Sequence, residues 1–150
     1  MDPVSVRLAR TALLWLVLGA ALGGLMLSDA LVPGAWKLWF SPTHGHILFV
    51  GWFLQFAVGV GYWLLPRKRM PECPLGYRED VALAAYALLN AGLALRVIAE
   101  PIQRSGNPSD LLDWSLAASS LLQFAAIVIF TVQLWRRIIP RRASRSLDAS

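Results

Sequence analysis

His44-Gly-His46-Ile-Leu-Phe-Val-Gly51-Trp52-Phe-Leu-Gln55-Phe-Ala-Val-Gly59-Val-Gly-Tyr62-Trp63-Leu-Leu-Pro66 is the stretch on which the fold turns. It contains no Asp, Glu, Lys or Arg. As an α-helix it would run about 33 Å, enough to cross roughly 30 Å of hydrocarbon. The chain has only two histidines, and both stand at one end of this run. An imidazole there is a ready ligand for haem iron or another metal. A polar group at a membrane span is costly unless something uses it.

Outward from that run, the 150 residues are 57% hydrophobic and 15% charged, which indicates a membrane protein rather than a soluble domain. Three further stretches are long and apolar enough to cross. The four spans are expected at about Thr11–Ser28, Thr43–Leu65, Val81–Ala99 and Leu111–Trp135. Extending the first back to Val4 lets Arg7 and Arg10 snorkel. Residues 3–30 loosely imitate a secretory signal, but the apolar stretch is too long for one and is read as a span. The expected fold is all-α: one polytopic four-helix membrane bundle with a basic tail at 136–150.

The loop charges orient it. Arg7, Arg10, Arg67, Lys68, Arg69, Arg78, Arg136, Arg137, Arg141, Arg142 and Arg145 fall on one side, Lys37 and Arg104 on the other. By the positive-inside rule both termini are cytoplasmic, in a multi-pass protein of, most simply, a bacterial inner membrane. The same arginines account for the basic pI and can meet anionic lipid, so no nucleic-acid partner is expected. Cys73 is the single cysteine and implies no disulfide.

Small residues mark close helix approach: Gly19, Gly23 and Gly24 on the first span, Gly51, Gly59 and Gly61 on the second. Gln55, Asn90 and Gln123 each place an amide near mid-span, and buried amides need partners in lipid. One hydrogen-bonded layer pinning three helices is expected. Trp36, Trp39, Phe40 and Trp114 are read as anchors at the outer interface, and Tyr62, Trp63 and Trp135 at the inner one. Residues 32–40 are expected to lie on the outer surface.

Ser41 as N-cap and Pro42 as first helical residue predict that the second helix begins there. His44 then falls in the first turn, where the helix dipole favours a neutral, ligating ring. At about 100° per residue, His44 shares a small, polar face with Leu48, Gly51, Gln55 and Tyr62. His46 lies about 200° away, with Phe53, Ala57, Val60 and Leu64, facing lipid or a partner subunit. His44 is therefore the better ligand candidate.

The run from His44 through Gly51 and Trp52, with Gly59, Tyr62 and Pro66 behind it, resembles the second transmembrane helix of haem-copper oxidase and nitric oxide reductase large subunits. The same run resembles a helix of short stand-alone oxidase subunit I-like proteins. The resemblance implies that His44 occupies the axial-ligand position of a haem b. The family's catalytic subunit has twelve helices, in three arcs of four, and further histidines; this chain has neither. The implied role is thus haem binding in electron transfer or haem handling, not oxygen or nitric oxide reduction by this polypeptide alone.

Met26, at the same end as His44, can complete a His/Met pair. Arg96 can meet haem propionates or pair with Glu100 on its own helix. His44 and His46, with Asp29, Asp110 and Asp113, could instead hold Zn or Cu. The alternatives are a metal-binding or assembly factor of a respiratory complex and a structural membrane protein without a cofactor. Expected partners are the lipid bilayer, a redox partner or respiratory complex, and a second copy packed through Gly19, Gly23 and Gly24.

Overall fold

The computed structural model describes residues 1–28, 31–66, 75–106 and 108–138. Cys73, Asp29, Arg67, Lys68, Arg69 and the tail beyond Ile138 lie outside the described residues, so what was expected of them has no structural counterpart here. The described chain is helical, with no strand, and four helices are long and apolar enough to cross a membrane.

The first span, α1, runs Pro3–Leu27. Asp2 caps it by accepting from the Ser5 N–H at 2.9 Å, and Pro3 takes the first position, where its missing N–H costs nothing. The second span, Ala35–Leu64, is one continuous helix in three parts. These are α2 (Ala35–His46), a π-helical segment (Ile47–Leu54) and α3 (Gln55–Leu64). It stops at Leu65, which is extended because the following Pro66 disfavours helical backbone. In the third span, α4 (Glu79–Arg104), Glu79 and Asp80 stand in the first turn and Arg104 in the last, all complementing the dipole. The fourth, α5 (Asp110–Trp135), is capped by Ser109.

Two expectations about the second span need correcting. Its helix starts after Pro33-Gly34, so Ser41 does not cap it and Pro42 lies inside it. Proline's fixed φ suits a helix, and only one backbone bond is lost; Trp36 and Phe40, one turn apart and 4.9 Å between centroids, pack together just before it. His44 is therefore well inside the helix, and the dipole at its start does not act on the ring. The π-helical turns were also unforeseen. They carry Ile47, Val50 and Gly51 all to the buried side, and such turns are often found at functional sites.

Consecutive spans pack on one another, α1 on the second span, the second span on α4 and α4 on α5, with smaller contacts between α1 and α4 and between the second span and α5. The first and fourth do not touch. The bundle is an open arc, with both ends of the described chain at the same end of it. Its core gathers Val4, Leu8, Tyr62, Ala85, Leu89 and Phe130. Close approach rests on glycines. At Gly92 a Cβ would lie 2.9 Å from the Ser119 carbonyl oxygen. At Gly51 it would lie 2.7 Å from Leu93 and 2.8 Å from Trp15.

The three amides do not form one layer. Gln55 Nε2 donates to the Leu8 carbonyl at 3.3 Å, tying α3 to α1. Asn90 Oδ1 accepts from Trp15 Nε1 at 2.8 Å, tying α4 to α1. Gln123 donates to Ser119 Oγ at 3.0 Å, and that hydroxyl donates to the Gly92 carbonyl at 2.7 Å, tying α5 to α4. Each amide therefore ties a different pair of helices, and the Asn90 bond reaches across the second span from α4 to α1.

Tyr62 is a core residue, not an interfacial anchor: it is fully buried, and its hydroxyl donates to Gln133 at 2.7 Å. Arg137, counted by sequence as part of the tail, is 1% exposed. Its guanidinium donates to the carbonyls of Tyr62 (3.0 Å), Leu65 (2.5 Å) and Pro66 (3.2 Å), the last acceptors of the second span. It also lies over the rings of Tyr62 and Tyr77, 5.8 and 5.5 Å from their centroids. Tyr77 lies outside the spans. Burial, with Asp2 adding to it, pushes its hydroxyl above the usual tyrosine range and keeps it neutral.

Candidate functional site

His44 packs against α1 at Gly23. A Cβ at Gly23 would sit 2.8 Å from His44 Cε1, so only glycine leaves room for the ring. The imidazole borders a cavity of about 360 Å³ together with Gly23, Met26, Leu27, Lys37 and Ser41. This cavity lies toward the end of the bundle opposite the chain ends and is partly open. His44 Nδ1 is buried and has no hydrogen-bond partner among the described residues. Buried polar atoms are nearly always paired, so an unpaired imidazole nitrogen beside a cavity is suited to a ligand or a proton.

Met26 lines the same cavity, so His44 and Met26 are brought together. Lys37 and Ser41 were not anticipated there. The usable signal was the spacing of Gly19 and Gly23, a small-residue step on α1 facing a helix that carries a large ring. Both glycines are occupied within the chain: Gly19 meets Ile47 and Leu48, and Gly23 meets His44. They are therefore not free for a second copy, as had been expected, and of the three only Gly24 faces open space.

His46 belongs to a different surface. Its Nδ1 lies 3.0 Å from the Pro42 carbonyl oxygen. A carbonyl can only accept, so Nδ1 carries a proton and donates it there. Close by, Gly45, Leu48, Phe49, Trp52 and Phe53 line a shallow apolar groove on the outside of the arc. Phe49 and Phe53 are 62% and 55% exposed, as the lipid-facing reading of this face requires.

Arg96 is not at the His44 cavity. It pairs with Glu100 on its own helix, Nε to Oε2 3.6 Å, and donates to Ser120 Oγ at 3.2 Å. Glu100 is 5% exposed. It also accepts from Thr43 Oγ1 at 3.0 Å and faces Arg104 at 4.0 Å. Thr43 and His44, neighbours in the chain, thus point to different helices: Thr43 to α4, His44 to α1. The bond to Glu100 fixes the rotation of α2 and, through it, the aim of His44. Asp113 accepts from Gln103, and Asp110 is exposed. Among the described residues no three His, Cys, Asp or Glu side chains gather as a metal site.

No family model matches the chain, and no curated protein or solved structure is detectably similar to it.

Proposed function

We propose that this chain is an integral membrane haem-binding protein that resembles one four-helix arc of an oxidase large subunit and serves electron transfer or haem handling. The observation that carries the reading is the buried, unpartnered Nδ1 of His44 beside a cavity that Met26 also lines. Those residues fit a haem b edge. His44 offers the imidazole, Met26 a thioether, Lys37 a cation for a propionate, and Gly23 leaves the ring room. Bound there, haem would supply one-electron chemistry; the residues of the chain hold it and set its surroundings. The cavity is open on one side, and α1 and α5 do not touch each other. Both features suit a homo-oligomer that encloses the site.

The proposed setting is a bacterial inner membrane with the chain ends in the cytoplasm, supported by the eleven basic residues on that side. Cysteine labelling at Ser105 and Ser146 in intact cells tests it: Ser105→Cys should react from outside and Ser146→Cys should not. The haem reading is tested by the visible spectrum of protein purified in mild detergent after expression with ample haem. A Soret band with b-type bands on reduction is expected, and a colourless protein would end the reading.

A metal-binding or assembly role has one observation in its favour. His46 donates Nδ1–H to a carbonyl and so presents Nε2, as metal-ligating histidines do. Zn or Cu would need further donors from another chain. Elemental analysis of the purified protein separates this role from a cofactor-free structural one.

A further inference from the structure

Arg7 and Arg10 are exposed on α1, and neither has a hydrogen bond or ion pair among the described residues. Arg10 is not at the helix end. Its neighbour Thr11 has Oγ1 2.8 Å from Tyr86 Oη, and Tyr86 stands two turns, about 10 Å, into α4. At 26 residues α4 is about 39 Å long, roughly 9 Å more than the hydrocarbon is thick. With that excess shared between its ends, the Arg10 backbone lies about 5 Å inside the hydrocarbon. A guanidinium there is costly unless it reaches an acceptor at the interface.

The described chain offers it none. The described carboxylates at this end are Asp2, Glu79 and Asp80. Asp2 is 5% exposed and caps α1, Glu79 stands by Tyr77 at the start of α4, and Asp80 pairs with Arg78 at 2.7 Å. Beyond the two arginines the same side of the helix is apolar. Arg7, Arg10, Leu14, Val17, Ala21 and Gly24 follow at steps of three and four residues, and all are exposed. Leu8, Ala12 and Gly19 are buried on the opposite side. Leu14 and Val17 are 64% and 66% exposed, and nothing stands within 4 Å of a Cβ at Gly24. Two cations thus stand at the head of an apolar row that runs about 15 Å along the helix, the depth of one leaflet.

We propose that this face of α1 is a binding site for one anionic phospholipid. Arg7 and Arg10 grip a single phosphodiester from neighbouring turns, and an acyl chain lies along Leu14, Val17, Ala21 and Gly24. The headgroup carries no ammonium, since two guanidinium groups with no free carboxylate beside them repel a further cation. A free phosphate would leave the apolar row unused. A second copy on the same face would set Arg10 against its own counterpart across the two-fold axis, like charges with nothing between them. The site uses neither His44 nor its cavity and is independent of the haem reading.

The test is native mass spectrometry of the full chain in mild detergent, titrated with phosphatidylglycerol, phosphatidylcholine or glycerol phosphate. The first phosphatidylglycerol should bind at least about fivefold more tightly than phosphatidylcholine, and glycerol phosphate should not bind. Arg10→Gln should remove about fivefold of that affinity, and Arg7→Gln together with Arg10→Gln should remove the preference altogether. Arg136→Gln, an exposed cation at the same end of the bundle, should change nothing. Equal binding of the two lipids by the wild type overturns the proposal, as does a preference that survives the double variant or one that disappears with Arg136→Gln. Glycerol phosphate bound as tightly as the lipid would make this a free-anion site, and efficient disulfide cross-linking of Leu14→Cys copies in the membrane would give the face to a second copy; either overturns it. Should the double variant fail to insert, Arg10→Gln and the wild-type comparison of the two lipids decide.

Discussion

Arg137 closes one end of the second span, donating to the carbonyls of Tyr62, Leu65 and Pro66 while the Tyr62 hydroxyl donates to Gln133. Toward the other end, His44 keeps a buried ring nitrogen without a partner among the described residues, although Thr43 beside it is bonded to Glu100. The two regions share the low-dielectric setting that makes an unmade hydrogen bond expensive. One meets that expense with local donors and so holds helices together. The other leaves a lone imidazole at a cavity, which is the arrangement expected where a ligand completes the bonding.

If the termini end is structural, breaking it should cost the most. Arg137→Leu strips donors from three helix-end carbonyls and should lower unfolding free energy by about 3 kcal/mol or more, read by denaturant titration in detergent. Arg137→Lys should recover only part of this, because an ammonium cannot reproduce the guanidinium fork. Next in size is Gly23→Leu, which drives a side chain into the His44 ring. It should weaken haem binding at least about tenfold, while overpacking removes about 1–3 kcal/mol of stability. Gly24→Leu, one residue along and facing open space, should change neither. Haem titration beside thermal unfolding separates the pair.

Smaller effects sharpen the contrast. Thr43→Val removes the donor to Glu100 and should cost about 1 kcal/mol. It should also loosen the aim of His44, seen as a broadened or shifted Soret band, and Thr43→Ser should restore both. His46→Ala should be the mildest. It removes one half-exposed bond to the Pro42 carbonyl, worth roughly 0.5 kcal/mol, and should leave any haem spectrum unchanged.

The four spans and the inward side of the second were legible because a hydrocarbon-length apolar run has few other outcomes. The separation of His44 from His46 was legible too, since two residues on a helix differ by more than half a turn of face. The partners were not. Gly23 opposite His44 depends on how α1 is set vertically against the second span, and one-dimensional spacing carries no such register. Arg137 looked like tail charge because its value lies in carbonyls more than 70 residues earlier. The start of α2 was misplaced because Ser41-Pro42 is a sound capping signal that the stronger Pro33-Gly34 break made unnecessary. The π-helical turns left no mark in composition at all.

The central claim is that His44, not His46, is the haem ligand. The most direct measurement is the reduced-minus-oxidised absorption spectrum of wild type, His44→Ala and His46→Ala, purified side by side in the same detergent. The account predicts b-type bands in the wild type and in His46→Ala, and their loss in His44→Ala. Equal loss in both variants, or bands that survive His44→Ala, would contradict it.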